Sequence, residues 1–227
     1  MDSAGVLLEA KDVSRCVPGT QQWLLRDVSL TIRRGDRLAI VGATGSGKTL
    51  FLRSLALLDP IDKGEVLWNC QPIRAHLVPD FRRQVTYLHQ RPALIEGTVE
   101  DNLRLPFAFG VHAHERFDRE RILSMLNIVG RGADFLSRTW RNLSGGEGQI
   151  VALVRVLQLD PTVLLLDEPT ASLDTATAND IEQLIARWSK ERDGLRATVW
   201  VTHDTEQSTR VAKRFLRMSS GQLVGEL

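Results

Sequence analysis

The chain has 227 residues, enough for one α/β domain with a full core and a small inserted subdomain, and too few for two such domains. Its 29 basic and 28 acidic residues nearly cancel, so no broad cationic field points to nucleic acid or to anionic lipid. The two cysteines, Cys16 and Cys70, stand far apart without metal-ligand spacing, which argues against a disulfide framework and predicts ordinary buried thiols in a reducing compartment.

The opening "MDSAGVLLEAKDVS" has no basic region leading into an apolar stretch, and no later run is long enough to cross a bilayer. A soluble protein is expected, with any membrane role supplied by a partner. "VLLEAKDV" and "VSLTI" read as short strands, the second with Val28, Leu30 and Ile32 on one face before the turn "RRGD". "LAIVG" is a compact apolar strand running into "GATGSGKT", and Leu50 to Leu58 continues as a helix. "VTYLHQ" is a further short strand. Residues 91 to 142 are more charged and less regular, with a break from Pro106 to Gly110 and a helical "RERILSMLNIVG", and read as an inserted helical subdomain. From 150 the α/β rhythm returns: an apolar helix with Ile150, Val151, Val154 and Leu157, the strand "TVLLLDE", a helix with Ala178, Ile181, Leu184, Ile185 and Trp188 at helical spacing, and the strand "TVWVTHD". The chain closes as a hairpin about Ser220 and Gly221.

"GATGSGKT", residues Gly42, Ala43, Thr44, Gly45, Ser46, Gly47, Lys48 and Thr49, fits a phosphate-binding loop between a strand and a helix. Its glycines let the backbone turn amides inward, and the helix that follows aims its positive end at the same point. Lys48 is expected to reach the β and γ phosphates of a nucleotide, with Thr49 on Mg²⁺. "VLLLDE" delivers Asp167 and Glu168 at the carboxyl end of a buried strand, where α/β sheets bind ligands. Asp167 would hold Mg²⁺, and Glu168 would polarise the attacking water. His203, ending "TVWVTHD", falls on the same sheet edge, where its imidazole would donate to a γ-phosphate oxygen or orient the water. Gln90, ending "VTYLHQ", would bind Mg²⁺ or water through its amide oxygen. His112 and His114 have no metal partners at convincing spacing and read as loop residues.

"LSGGEGQ", residues 143 to 149, is a second glycine-rich turn. Ser144 and Glu147 form a capping box before an apolar helix. Gly145, Gly146 and the Ser144 hydroxyl at a positive helix end also make an anion site. The chain already has one phosphate loop, so the simplest use of another is the γ phosphate held by a second copy, the two facing head to tail.

The order "GATGSGKT", Gln90, "LSGGE", "VLLLDEPT", "SLD" (172 to 174) and His203 resembles the ATP-binding subunit of an ABC transporter over nearly the whole chain. The resemblance implies one α/β domain over 1–227, a P-loop NTPase core with an N-terminal antiparallel β subdomain and an inserted α-helical subdomain. Core and β subdomain would take 1–90 and 143–227, the helical subdomain about 91–142. It further implies a homodimer around two ATP, with Ser144, Gly145, Gly146 and Glu147 completing the site across the dimer and Asp174 at the seam. Gln90 and the helical insert would couple to a multi-span membrane permease, with the protein peripheral on the inner face of the cell membrane and no nucleic acid bound. Two features depart from the family. Its adenine-stacking aromatic near position 15 or 16 is replaced by Arg15 and Cys16, leaving Arg15 or Trp23 for that contact, and Gly148 and Ile150 replace basic residues of the signature. Residues 97 to 107, "GTVEDNLRLPF", resemble compact ATPase subunits of bacterial iron or metal exporters. A soluble ATP clamp acting on DNA or ribosomes is the alternative, disfavoured by the charge balance and the lack of a coiled coil.

Overall fold

The computed structural model describes residues 5–91, 93–112, 114–171, 173–192 and 194–226. In chain order the first elements are β1 (Val6–Cys16), β2 (Trp23–Arg33), β3 (Arg37–Val41), α1 (Lys48–Leu55), β4 (Lys63–Trp68), β5 (Gln71–Pro72), α2 (Val78–Gln84) and β6 (Val85–Leu88). They are followed by α3 (Val99–Arg104), α4 (Arg119–Ile128), α5 (Gly145–Leu157), β7 (Val163–Asp167), α6 (Thr175–Lys190), β8 (Ala197–Val201), α7 (Thr205–Val211), β9 (Arg214–Ser219) and β10 (Gln222–Glu226).

These elements group into two compact units. The first runs to Tyr87, takes in Thr162–Glu168 and resumes at Arg192. It holds a four-stranded antiparallel sheet, ordered β2-β1-β4-β5, and a six-stranded sheet, ordered β10-β9-β3-β8-β7-β6. In the larger sheet β9, β3, β8 and β7 run parallel, so the carboxyl ends of β3, β7 and β8 lie on one edge. Why each strand sits where it does follows from its pattern. In β2, Val28, Leu30 and Ile32 are buried while Arg26, Asp27 and Ser29 face solvent, the period of a half-covered sheet. β7 and β8 are buried at every position and apolar but for Thr198 and the terminal Asp167, as interior parallel strands require. The core between the sheets and α1 includes Leu8, Val28, Ile32, Leu38, Ile40, Phe51, Leu52, Leu165 and Val199.

The second unit spans Leu88–Pro161 and Pro169–Glu191 and is built on α3 to α6. α5 packs on α3, α4 and α6. This grouping differs from the boundaries expected at about 91 and 142, because the apolar faces of α5 and α6 are shared with the inserted helices.

Several local expectations are revised. α1 starts at Lys48 and ends at Leu55, short of Leu58, because Leu57 turns left-handed at φ 54°. Cys16 and Cys70 are part-exposed rather than buried, and Cys70 occupies the turn between β4 and β5 with Asn69, both at positive φ. His112 is buried in the short 3₁₀ turn Gly110–His112, its Nδ1 3.4 Å from Glu115, rather than lying in an open loop.

The closing hairpin turns through Ser220 and Gly221, at φ 47° and 76°, the left-handed pair that matches strand twist. Gly221 also ties the hairpin to its neighbours: its N–H donates to the Ser46 carbonyl and its carbonyl accepts from Arg26 N–H, both at 2.9 Å. A Cβ there would collide with the Leu24 carbonyl. Gly221→Ala is therefore expected to cost about 2 kcal/mol in urea denaturation, from backbone strain plus the clash. Gly19→Ala, at the same positive φ but in open space, is expected to cost about 1 kcal/mol. Equal costs would refute the packing argument.

Candidate functional site

The phosphate loop joins β3 to α1 within the first unit. Gly45 and Gly47 take φ of 79° and 105°, which side chains rarely adopt. Gly42 is needed for another reason, since a Cβ there would collide with the Met218 carbonyl of β9. The loop is thus held tightly against the sheet edge. Lys48 is only 6% exposed, and its Nζ donates to the carbonyls of Gly42 at 2.7 Å and Ala43 at 2.9 Å. Among the described residues no carboxylate pairs with it. A buried cation held only by neutral carbonyls is a standing attraction for an anion. Ser46 adds a second unmet group: its Oγ is buried without a hydrogen-bond partner among the described residues.

Beside the loop, Asp167 ends β7 and is 3% exposed. Thr49 Oγ1 donates to its Oδ1 at 2.9 Å, and Tyr87 Oη donates to its Oδ2 at 2.7 Å. Thr49 and Asp167 form a pair of hard oxygen donors, the set that suits Mg²⁺ bound through a carboxylate and phosphate oxygens. Burial, with the hydrogen bond to Asp167, pushes the Tyr87 phenol well above its usual range, so it remains a donor. Glu168 follows with φ 47°, a left-handed conformation for a bulky residue at the sheet edge. Its N–H continues the β7–β8 ladder by donating to the Val201 carbonyl at 3.0 Å, which turns the side chain out of the strand register. Its Oε2 lies 3.3 Å from Nδ1 of His203, whose side chain is 67% exposed. A cavity of about 770 Å³ opens here, lined by Gly42 to Ser46, His203, Thr205 and Arg217 among others.

The first unit therefore brings together residues 42 to 49, Asp167, Glu168 and His203. Sequence reasoning missed Tyr87, the chain's single tyrosine. The signal available was its place in β6 on the same face as buried Val85. It also missed Arg53 and Asp59. Arg53 grips Asp59 through Nε at 2.6 Å and Nη2 at 3.1 Å, and Arg15 Nη1 lies 3.2 Å from the same carboxylate. The Arg53 hydrogen bond holds the Asp59 carboxyl below its usual range. Arg15 is thus a half-buried ion-pair member. Trp23, paired across the strands with Cys16, is 37% exposed, with Lys63 Nζ 5.1 Å from its ring centre.

The second unit carries Gln90 and the signature turn. Gln90 is exposed, and the carbonyl of His89 beside it accepts from Gln149 Nε2 at 3.2 Å. Ser144 Oγ accepts from Glu147 N–H at 3.2 Å, and a Glu147 oxygen accepts from Ser144 N–H at 3.0 Å, so the capping box is formed at the start of α5. Burial alone would raise the Glu147 carboxyl, but the Ser144 N–H and Arg138, at 2.6 Å, outweigh it and hold it low. Glu147 is thus engaged as the cap of α5 and by Arg138. Gly146 has a packing reason: a Cβ would come within 2.8 Å of the Thr177 methyl. Thr177 is fixed in turn by Asp174, which caps α6 and accepts from the Thr177 N–H and hydroxyl at 3.0 and 2.7 Å. Ser172 lies outside the described residues.

A family model described as ABC transporter matches residues 25–171. The chain belongs to the ABC transporter family. It is the ATP-binding subunit type, an ATPase coupled to transport. It is 35% identical over 201 residues to the ABC transporter ATP-binding protein YjkB of Bacillus subtilis, covering 88% of this chain and 78% of that one. It is 36% identical to ABC transporter I family member 17 of Arabidopsis thaliana, covering 88% and 74%. Among solved structures it is similar to the ATP-binding cassette MJ0796 in a dimeric post-hydrolysis state bound to ADP and Pi, with a TM-score of 0.84, 28% identity and coverage of 97% and 98%.

Proposed function

We propose that this ABC ATPase closes head to tail with a second copy around two ATP molecules and drives a separate multi-span membrane permease. It would lie at the inner, cytoplasmic face of the membrane as a peripheral subunit. The observation that carries this reading is the buried Lys48 ammonium, which no described carboxylate neutralises, set in a glycine loop beside the Asp167, Glu168 and His203 edge. The described chain has no helix long and apolar enough to cross a membrane, which suits an ATPase subunit working on a partner.

In this reading residues 42 to 48 cradle the phosphates of ATP, with loop amides and Lys48 taking the charge on the β and γ groups. Thr49 and Asp167 would hold Mg²⁺, with Gln90 as a further oxygen ligand, and the ion would supply neutralisation of phosphate charge. Glu168 accepts a proton from water, which attacks the γ phosphorus as the bond to the β-phosphate oxygen breaks, giving ADP and phosphate. His203, beside Glu168, orients that carboxylate and donates to a γ oxygen. Ser144, Gly145 and Gly146 of the partner copy supply donors from the opposite side, and Asp174 sits at the seam. Loss of phosphate would weaken closure, and the helical unit, with Gln90, would pass that change to the permease.

The cargo is set by the permease. Iron or another metal ion, moved outward, is the cargo class that residues 97 to 107 support. The Fe(3+) ions import ATP-binding protein FbpC of Pseudomonas fluorescens, 37% identical over 83% of this chain and 53% of its own, is named for iron moving inward. Other relatives are named for import of sulfate/thiosulfate or phosphate, so these names do not favour a clamp on DNA or ribosomes.

Glu168→Gln is expected to lower ATP turnover by about 100-fold or more and to accumulate an ATP-bound dimer on gel filtration. Intact turnover, or a species that stays monomeric with ATP, would remove the proposed base. For the adenine contact, Trp23→Ala is expected to weaken ATP binding about tenfold, the scale of one lost base–aromatic stack. Arg15→Ala should leave affinity within about twofold, because its guanidinium is already engaged by Asp59. The opposite ranking by fluorescence titration would assign the adenine to Arg15.

A further inference from the structure

We propose that Tyr87 is a positioning residue for the metal-binding carboxylate, and that it sets the affinity of the ATP site for Mg²⁺. The proposal rests on the reading of Thr49 and Asp167 as the Mg²⁺ pair. A carboxylate at the end of a strand rotates about its last bond unless both oxygens are held. In this molecule each oxygen of Asp167 has one hydroxyl donor: Thr49 on Oδ1 at 2.9 Å and Tyr87 on Oδ2 at 2.7 Å. The Thr49 hydroxyl gives its proton to Oδ1 and keeps its lone pairs for a cation. The Tyr87 hydroxyl stops Oδ2 from rotating into Oδ1's place and satisfies an oxygen that burial has removed from water.

Tyr87 is itself braced. It lies in β6, the strand next to β7, and its oxygen lies beside the Arg53 guanidinium. Arg53 is locked by the two-point grip on Asp59, which Arg15 also pairs with. A line of side chains from β1 and α1 thus ends on the oxygen of Asp167 that faces away from Thr49. Phenylalanine at 87 keeps the ring and removes only the donor, so the fold is retained while Oδ2 is left buried and unpaired.

The test is Tyr87→Phe in the full chain, with a fluorescent ATP analogue titrated first in EDTA and then at increasing Mg²⁺. In EDTA the variant should bind the nucleotide as wild type does, since Tyr87 does not line the phosphate cavity. The Mg²⁺ concentration giving half of the metal-dependent gain in binding should rise about tenfold, the usual effect of removing a hydrogen bond behind a metal ligand. Turnover should recover when Mg²⁺ is raised to saturation. An unshifted Mg²⁺ midpoint would overturn the proposal, as would an equal loss of binding in EDTA, which marks a general structural role. If wild type itself binds the nucleotide identically with and without Mg²⁺, the metal reading fails and the proposal falls with it.

Discussion

The structure depends on one constraint, a lysine ammonium taken out of water with no carboxylate beside it among the described residues. Lys48 begins α1 after the loop that leaves β3, and among the described residues its ammonium donates to the carbonyls of Gly42 and Ala43. Isolating a charge in this way costs several kcal/mol, and the loop geometry that enforces it is itself demanding. Gly42 must approach Met218, Gly45 and Gly47 must turn left-handed, and the Ser46 carbonyl is tied down by Gly221. A chain does not assemble such a loop for packing alone. The loop, the Ser46 hydroxyl and the lysine together describe the negative image of a polyphosphate.

Everything else in the first unit is arranged around that image. The parallel order of β3, β8 and β7 brings Asp167, Glu168 and His203 to the same edge as the loop. Two acids adjacent in sequence acquire different environments there. Asp167 is buried and held by two hydroxyls, whereas Glu168 leaves the strand at positive φ and faces His203. The first suits a fixed metal ligand and the second a base that must meet water. The second unit carries the capped turn at Ser144, whose second glycine packs closely on Thr177, itself held by Asp174. A sheet unit with a phosphate loop and a helical unit with a signature turn are the two halves expected of a cassette that works in pairs.

Much of this was legible in the residues. Alternation in β2, continuous apolar runs in β7 and β8, and the strand, loop, helix order around Lys48 gave the right elements, because each pattern reflects burial on a definite face. The resemblance supplied the family. What stayed hidden depends on contacts between distant segments. Pro60 signals that the helix must end, but no glycine marks Leu57 as the left-handed residue that stops it. Tyr87 looked like one apolar position in a short strand, yet its value lies in an oxygen 80 positions away in sequence. The ion pair of Arg15 with Asp59 joins residues 44 positions apart and has no local signature. The capping role of Glu147 was legible from its spacing to Ser144, whereas its hydrogen bond to Arg138 was not.

The most direct measurement on the central claim is the stability of Lys48→Met with and without nucleotide. Removing a buried, unneutralised charge should leave the nucleotide-free protein as stable as wild type or more so, while the shift in melting temperature on adding ADP should vanish. If the variant is instead several kcal/mol less stable without nucleotide and still gains the full ADP-induced shift, Lys48 is a structural residue and the phosphate reading of the loop is wrong.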